Sequence, residues 1–215
     1  DVNESQMHFG PAGREGKSIR FGLAAIKGVG EIAVQSIISV REKSGPYTTF
    51  EDFCERVDSR VVNKKVIESL VKCGAFDSFG KGLRRAVFEK IDMCLLRAAS
   101  FQKDKAAGQD SLFGVLDDPS PTLHTASKLG ATAPASDWPT AERLAYEKEL
   151  LGFYVTGHPL DEHKTTLKSL RADPIASLAG REDRSEIKIA GIIAAAEKRL
   201  SKKDGRPWAL LTLED

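Results

Sequence analysis

The segment Ile26-Lys27-Gly28-Val29-Gly30 places one valine between two glycines, and a helical pattern follows it. The apolar positions that share one face of that helix at the 3.6-residue period are Ile32, Ala33, Ile37 and Val40. We expect Gly28 and Gly30 to form a tight turn with positive φ angles, which glycine adopts without steric cost. This pattern is typical of a helix-hairpin-helix motif, in which Val29 would anchor the hairpin against its own helices. The plainer alternative is an ordinary connection between two helices.

The hairpin predicts DNA binding through the backbone. A helix that starts at Gly30 presents N–H groups without helical partners, and these carry partial positive charge. A DNA phosphate fits there without any base contact, and Lys27 would add a charge. The residues that we predict to bind DNA are Lys27, Gly28, Val29, Gly30, Lys64 and Lys65. The last two belong to a degenerate second copy at Val62–Phe76, which lacks the Gly-x-Gly signature and is expected to be mainly structural.

The charge distribution supports only local contacts with nucleic acid. The 215 residues carry a formal net charge of +1, so no global basic field exists. Between Arg60 and Lys90, however, the sequence contains eight Lys or Arg residues and only three Asp or Glu residues. Such a patch favours a few salt-sensitive, sequence-independent phosphate contacts. The alternative is a solvated helical face.

Composition narrows the class of protein. The longest apolar runs, such as Ile192–Ala196, are far shorter than the roughly 20 residues that span a bilayer, so we expect no membrane association. Cys54, Cys73 and Cys94 stand apart without a CxxC pair, which favours a reducing, cytoplasmic location over disulfides or zinc. The chain begins with Asp1 and not with Met, and Trp208–Asp215 is predicted to be a strand of an unfinished fold. We therefore expect a fragment of a longer protein.

The chain is predicted to be mostly α-helical and to change character along its length. Residues 19–102 form a compact helical domain, with Thr49 and Asn63 at helix N-caps and a long helix over Leu83–Ala99. Residues 103–137, rich in Ala, Gly, Ser, Thr and Pro, form a flexible linker. Residues 138–185 form a helical connector, and residues 186–215 begin a small β-barrel with two strands around a turn at Lys203–Gly205.

One apolar island interrupts the linker. It consists of Gln109, Asp110, Ser111, Leu112 and Phe113. Exposed apolar anchors in such a segment usually mark a docking peptide, in which Leu112 and Phe113 would supply most of the affinity. The alternative is that the island folds back and covers a neighbouring domain.

No catalytic or metal centre is predicted in this chain. His158 and His163 lie five residues apart, about 140° around a helix, and Pro159 places His158 outside that helix. A turn and a helix start account for them better than a metal site does. No phosphate-cradling P-loop or catalytic triad is recognisable either.

Four motifs, in this order, resemble the bacterial replicative DNA polymerases of the C family. They are FGLAAIKGVG (residues 21–30), FEDFC (50–54), CGAFD (73–77) and EKELLGFYVTGHPL (147–160). The resemblance covers nearly the whole chain. It implies a double helix-hairpin-helix domain that holds duplex or primer–template DNA, with Gly28, Val29 and Gly30 on its hairpin, and residues 1–18 as the tail of the fingers region.

The same resemblance implies partners and a cofactor. An internal pentapeptide that binds the sliding clamp (the beta subunit) falls on Gln109–Phe113, and an OB-fold implicated in contacting single-stranded template starts near Glu186. Contacts with other subunits of the replicase are also implied. The catalytic aspartates of the family lie in a palm domain upstream of Asp1, where divalent magnesium is expected, so this chain carries no catalytic residue and no cofactor.

A DNA repair enzyme is an open alternative on the residues alone. A base-excision glycosylase with a helix-hairpin-helix motif would need a catalytic Asp soon after the hairpin. Asp52 and Asp58 are available, but helix capping and a turn explain them better. A structural scaffold without DNA contact is the third hypothesis.

Overall fold

The computed structural model describes residues 1–13, 16–80, 84–106 and 136–215. About half of these residues are helical, and two small antiparallel sheets accompany the helices. The elements are β1 (Gly10–Ala12), β2 (Ser18–Arg20), α1 (Glu31–Ser44), α2 (Phe50–Arg56), α3 (Lys64–Lys72), α4 (Arg84–Ala106), α5 (Thr140–Leu151), α6 (Lys164–Leu170), β3 (Ile192–Leu200) and β4 (Pro207–Glu214). They group into two compact units, Asp1–Tyr154 and Val155–Asp215. The finer domain boundaries given above stay predictions.

Side-chain caps start two of the helices in the first unit. Thr49 Oγ1 accepts from the Asp52 N–H at 3.1 Å at the start of α2, and Asn63 Oδ1 accepts from the Val66 N–H at 3.1 Å at the start of α3. Both caps were predicted, and both satisfy N–H groups that lack a helical partner. The helices then pack around fully buried side chains, of which Phe53 is the largest.

Helix α1 buries Ala33 and Ile37 as expected, but its core face is only partly the one predicted. Its buried residues are Ala33, Val34, Ile37, Ile38 and Arg41. Ile32 is 76% exposed, so its predicted place in the core is wrong. The core face is set by the neighbours that α1 meets and is rotated by about one residue from the apolar stripe read in the sequence.

The first residues of the chain are part of this helical core. Val2 is fully buried, its N–H donates to the Ala75 carbonyl at 3.0 Å, and its carbonyl accepts from Arg41 Nη1 at 2.8 Å. Strand β1 pairs with β2 in an antiparallel hairpin that leads into the motif at Ile26–Gly30. The N-terminal segment therefore belongs to the same compact unit as the helices.

Helices α4 and α5 lie close to each other. α4 reaches Ala106, beyond the predicted end at Ala99, and it packs against α2 and α3. α5 packs against α3, and Trp138, just before α5, contacts the Phe88 ring at 5.4 Å between centroids. Gly152, with φ of +86°, ends α5 as predicted.

The second unit contains short helices and one β-hairpin. Pro159–His163 is a 3₁₀ helix capped by His158, whose Nδ1 accepts from the Leu160 N–H at 3.3 Å, which confirms the predicted turn and helix start. β3 and β4 pair antiparallel around the predicted turn. No helix in the described ranges combines the length and apolar character that crossing a membrane requires.

Candidate nucleic-acid interface

The glycine hairpin has one residue in the left-handed region. Gly28 has a φ of +85°, as predicted. Gly30 has a φ of −76° and acts as the N-cap of α1, so its predicted positive φ is wrong. Val29 is 5% exposed, and its N–H donates to the Ile26 carbonyl at 3.0 Å. The hairpin is thus held from inside by its valine, while Lys27, Gly28 and Gly30 are exposed.

The N-terminus of α1 is open to an anion. Gly30 makes no side-chain cap, so the N–H groups of the first turn face outward with the positive end of the helix dipole. Exposed Lys27 precedes them, and its ammonium has no ion pair within the described part of the chain. Glu31 places a carboxylate in the same turn and weakens the positive field there.

A second hairpin repeats the first one 33 positions later. The residues Val62, Asn63, Val66, Ile67 and Leu70 are the counterparts of Val29, Gly30, Ala33, Val34 and Ile37. In both copies the valine is buried, and the N-cap has a similar backbone, with φ of −76° at Gly30 and −75° at Asn63. The second copy therefore shares the buried valine and the N-cap backbone of the first, but Val61, at the position of Gly28, has no positive φ.

The two helix starts differ in chemistry. At α3 the Asn63 side chain already occupies the Val66 N–H, so fewer open amides remain than at α1. Two lysines, Lys64 and Lys65, form the first residues of α3. Lys64 Nζ lies 2.6 Å from Asp92 Oδ1, and this hydrogen bond raises the pKa of Lys64. Lys65 is exposed and has no ion pair among the described residues, so its ammonium is the more available of the two.

The hairpin rests on two helices that follow it in the chain. A Cβ at Gly28 would meet Ser69 Oγ of α3 at 3.2 Å. The main-chain N–H of Lys27 donates to the Leu150 carbonyl of α5 at 2.9 Å. The backbone that would approach DNA is therefore fixed by α3 and α5.

The basic patch at Arg60–Lys90 is smaller than its composition indicates. Arg84 is only 6% exposed and belongs to the interior. Lys72 Nζ lies over the rings of Phe88 at 5.2 Å and Tyr146 at 4.9 Å. Arg60 pairs with Asp58 at 3.1 Å. Tertiary contacts thus engage Arg84 and Lys72, whereas the pairing of Arg60 with Asp58 is local and leaves the Arg60 side chain exposed.

Arg84 is the residue that sequence reasoning missed. Its Nε and Nη2 bind the Asp77 carboxylate at 2.9 and 2.6 Å, and its Nη1 lies 2.9 Å from Glu147 Oε1 and 3.3 Å from the Lys72 carbonyl oxygen. Burial alone would lower the pKa of Arg84, but the two carboxylates outweigh it and raise the pKa. No local signal distinguishes Arg84 from neighbouring Arg85, because its partner Glu147 is 63 positions away.

The carboxylates weighed for glycosylase chemistry have structural roles. Asp52 Oδ2 accepts from the Thr48 N–H at 2.9 Å and from Arg56 at 3.0 Å, and these bonds outweigh partial burial and lower its pKa. Asp58 accepts from the Arg60 side chain, which lowers its pKa. Across the described ranges, no group of three or more His, Cys, Asp or Glu residues could hold a metal ion. The predicted clamp-binding residues Gln109–Phe113 lie outside the described residues.

Comparison with known proteins identifies the relatives of this chain. The helix-hairpin-helix motif family matches residues 1–87. Over its whole length the chain is 38% identical to DNA polymerase III subunit alpha of Saccharopolyspora erythraea, and 36% identical to the subunits of that name from Borreliella burgdorferi and Mycobacterium tuberculosis. The chain resembles one region of the DNA polymerase III alpha subunit. It spans 18% of the length of each of these relatives.

The similarity to DNA polymerase III alpha subunits confirms the resemblance inferred from the four motifs. The helix-hairpin-helix match confirms the interpretation of the glycine hairpin. The glycosylase alternative is not favoured, because these relatives are named as polymerase subunits.

Proposed function

We propose that this chain is the duplex-binding and clamp-attaching region of a replicative DNA polymerase that extends primers on a bacterial chromosome in the cytoplasm. The observation that supports DNA binding most directly is the hairpin, where Gly28 with φ of +85° leads to the open N-terminus of α1 beside exposed Lys27. Backbone amides there bind a phosphate oxygen without reading a base. Lys65 adds a contact from the second hairpin.

Binding of this kind has a measurable signature. Each phosphate that a lysine neutralises contributes about 0.9 to the slope of log affinity against log salt concentration. We expect the 215-residue chain to bind labelled duplexes of unrelated sequence with equal affinity, and to weaken as salt rises from about 50 to 200 mM.

Fluorescence anisotropy with a labelled primer–template tests the proposal. Lys27→Gln should weaken binding and reduce the salt slope by about one. Lys43→Gln, which removes the same charge at the exposed opposite end of α1, is the matched control and should leave both unchanged. An affinity that does not change with salt concentration would contradict the proposed interface. So would an affinity that falls equally in Lys27→Gln and Lys43→Gln.

The clamp contact is a separate part of the proposal. Leu112 and Phe113 would bury in an apolar pocket of the sliding clamp, with the Gln109 amide at its rim. A weak DNA contact and a weak clamp contact then reinforce each other through effective concentration.

A pull-down with purified clamp tests this part. Leu112→Ala combined with Phe113→Ala should abolish clamp capture, whereas Leu123→Ala combined with Leu129→Ala, two leucines of the same segment, should not. Capture that survives the first pair of substitutions would mean that the pentapeptide is assigned wrongly.

The remaining parts of the proposal concern the longer polymerase. Nucleotide addition would use two magnesium ions held by carboxylates outside this chain, and other replicase subunits would assemble around it. We further propose that β3 and β4 belong to an OB-type barrel. Two strands alone are marginally stable, and Leu210 and Leu211, which point to opposite faces of β4, are 48% and 50% exposed.

A further inference from the structure

The position of the hairpin depends on how α3 and α5 are held together. Gly28 rests against Ser69 of α3, and the Lys27 N–H donates to the Leu150 carbonyl of α5. The two supports come from helices that are far apart in sequence. A shift of either helix would move the first turn of α1 relative to the second hairpin.

One guanidinium joins these two helices. Arg84 Nη1 lies 3.3 Å from the carbonyl oxygen of Lys72, the last residue of α3, and 2.9 Å from Glu147 Oε1 of α5. Its other nitrogens bind Asp77, which follows α3. Glu147 is fully buried, and it lies about one helical turn before Leu150. If the charge of Glu147 is removed, Arg84 stays paired with Asp77, but the charged hydrogen bond that ties α5 to the end of α3 is weakened.

We propose that Glu147 is a positioning residue for duplex binding, acting through Arg84 and α5 on the hairpin at Lys27–Gly30. This inference rests on the proposed function. Glu147 itself is too deeply buried to touch DNA. With a neutral side chain at position 147, α5 is held less tightly by Arg84, the acceptor of the Lys27 N–H is less firmly placed, and the amides of α1 are less fixed in their orientation toward a phosphate.

The experiment compares Glu147→Gln with Glu149→Gln in the 215-residue chain. Both substitutions remove one carboxylate from α5, but Glu149 is exposed. Hydrogen exchange of the Lys27 amide reports whether its hydrogen bond to the Leu150 carbonyl is intact. Anisotropy with a primer–template reports DNA affinity. Glu147→Gln should accelerate Lys27 exchange about tenfold and weaken DNA binding about fivefold, as expected for a disturbed buried hydrogen bond. Glu149→Gln should change neither by more than about twofold.

The pattern of exchange separates positioning from general stability. A purely structural role would accelerate the core amides of Val34 and Ile67 as much as that of Lys27. A positioning role accelerates Lys27 selectively. If the Glu147→Gln protein does not fold, Arg84→Lys gives the second variant, since lysine keeps the charge but cannot hold Lys72, Asp77 and Glu147 together.

Two outcomes overturn the inference. One is a folded Glu147→Gln protein in which Lys27 exchange and DNA affinity equal those of the unchanged chain. The other is uniform acceleration across the unit in both Glu147→Gln and Arg84→Lys. If the unchanged chain does not bind DNA at all, the proposed function fails, and the exchange measurement still shows whether Glu147 seats the hairpin.

Discussion

Gly28 in the first hairpin lies directly against Ser69 of α3. A Cβ at position 28 would be 3.2 Å from Ser69 Oγ, closer than most side-chain contacts allow. Ser69 Oγ is itself fixed, because it donates to the Lys65 carbonyl at 3.1 Å. The first hairpin therefore contacts α3 at the residue where its backbone φ is positive. Glycine is required at position 28 both because of this φ and because a side chain there would meet Ser69.

The first prediction separates the two glycines of the hairpin. Gly28→Ala should lower the free energy of unfolding by about 1–2 kcal/mol, since alanine is strained at φ of +85° and also meets Ser69. Gly30→Ala should lower it by roughly 0.5 kcal/mol, because φ is −76° there, no atom lies within 4 Å of the added Cβ, and only N-cap preference is lost. Urea denaturation measures both.

A double variant divides the effect at Gly28. Adding Ser69→Ala to Gly28→Ala should recover the part due to the contact with Oγ and leave the part due to backbone strain. Equal destabilisation by Gly28→Ala and Gly30→Ala would show that neither the backbone angle nor Ser69 matters.

The second prediction concerns the lysines at the start of α3. Lys65→Gln should weaken duplex binding and reduce the salt slope by about one, because its ammonium is exposed. Lys64→Gln should have a smaller effect on affinity, since its ammonium is already paired with Asp92 at 2.6 Å. Anisotropy at several salt concentrations compares them, and a larger effect at Lys64 contradicts the assignment.

The third prediction concerns the carboxylate at the start of α1. Glu31→Gln should strengthen duplex binding about two- to threefold, because it removes a negative charge from the turn that receives the phosphate. Glu42→Gln, near the other end of the same exposed helix surface, is the matched control and should leave the affinity unchanged. Identical affinities for both variants would place the phosphate away from α1.

The fourth prediction is a pH dependence of stability. Burial raises the pKa of Tyr47 from 10.0 to about 12, so the native state holds the phenol proton more tightly than the unfolded state. The free energy of unfolding should therefore fall as pH rises between about 10 and 12. Tyr47→Phe should make this fall shallower, and at neutral pH it should lower stability by about 1 kcal/mol through loss of the Tyr47–Ile37 hydrogen bond.

The Tyr47 comparison needs urea denaturation at several pH values. Cys54 has a pKa raised to about 12 by burial and titrates in the same window, so only the difference between the variant and the unchanged chain isolates Tyr47. Parallel stability curves above pH 10 would contradict the prediction.

Local features of this protein were readable from the sequence because their causes are local. Gly28 predicted a positive φ, Thr49 and Asn63 predicted helix caps, and Gly152 predicted a helix end, since each depends on the residue and its near neighbours. The four short motifs likewise indicated the polymerase family by themselves, because each is an unbroken run of adjacent residues.

Burial and pairing were decided by contacts between distant segments. Ile32 fits the apolar stripe of α1 but is exposed, because the neighbouring helices cover a different face. Lys64 and Arg84 look like surface charges in the sequence, yet Asp92 and Glu147 engage them after folding. The sequence by itself determined where the hairpin turns and which helix starts there. Only the tertiary structure decided which charges remain exposed and which helices hold the hairpin, because those depend on residues that meet only when the chain is folded.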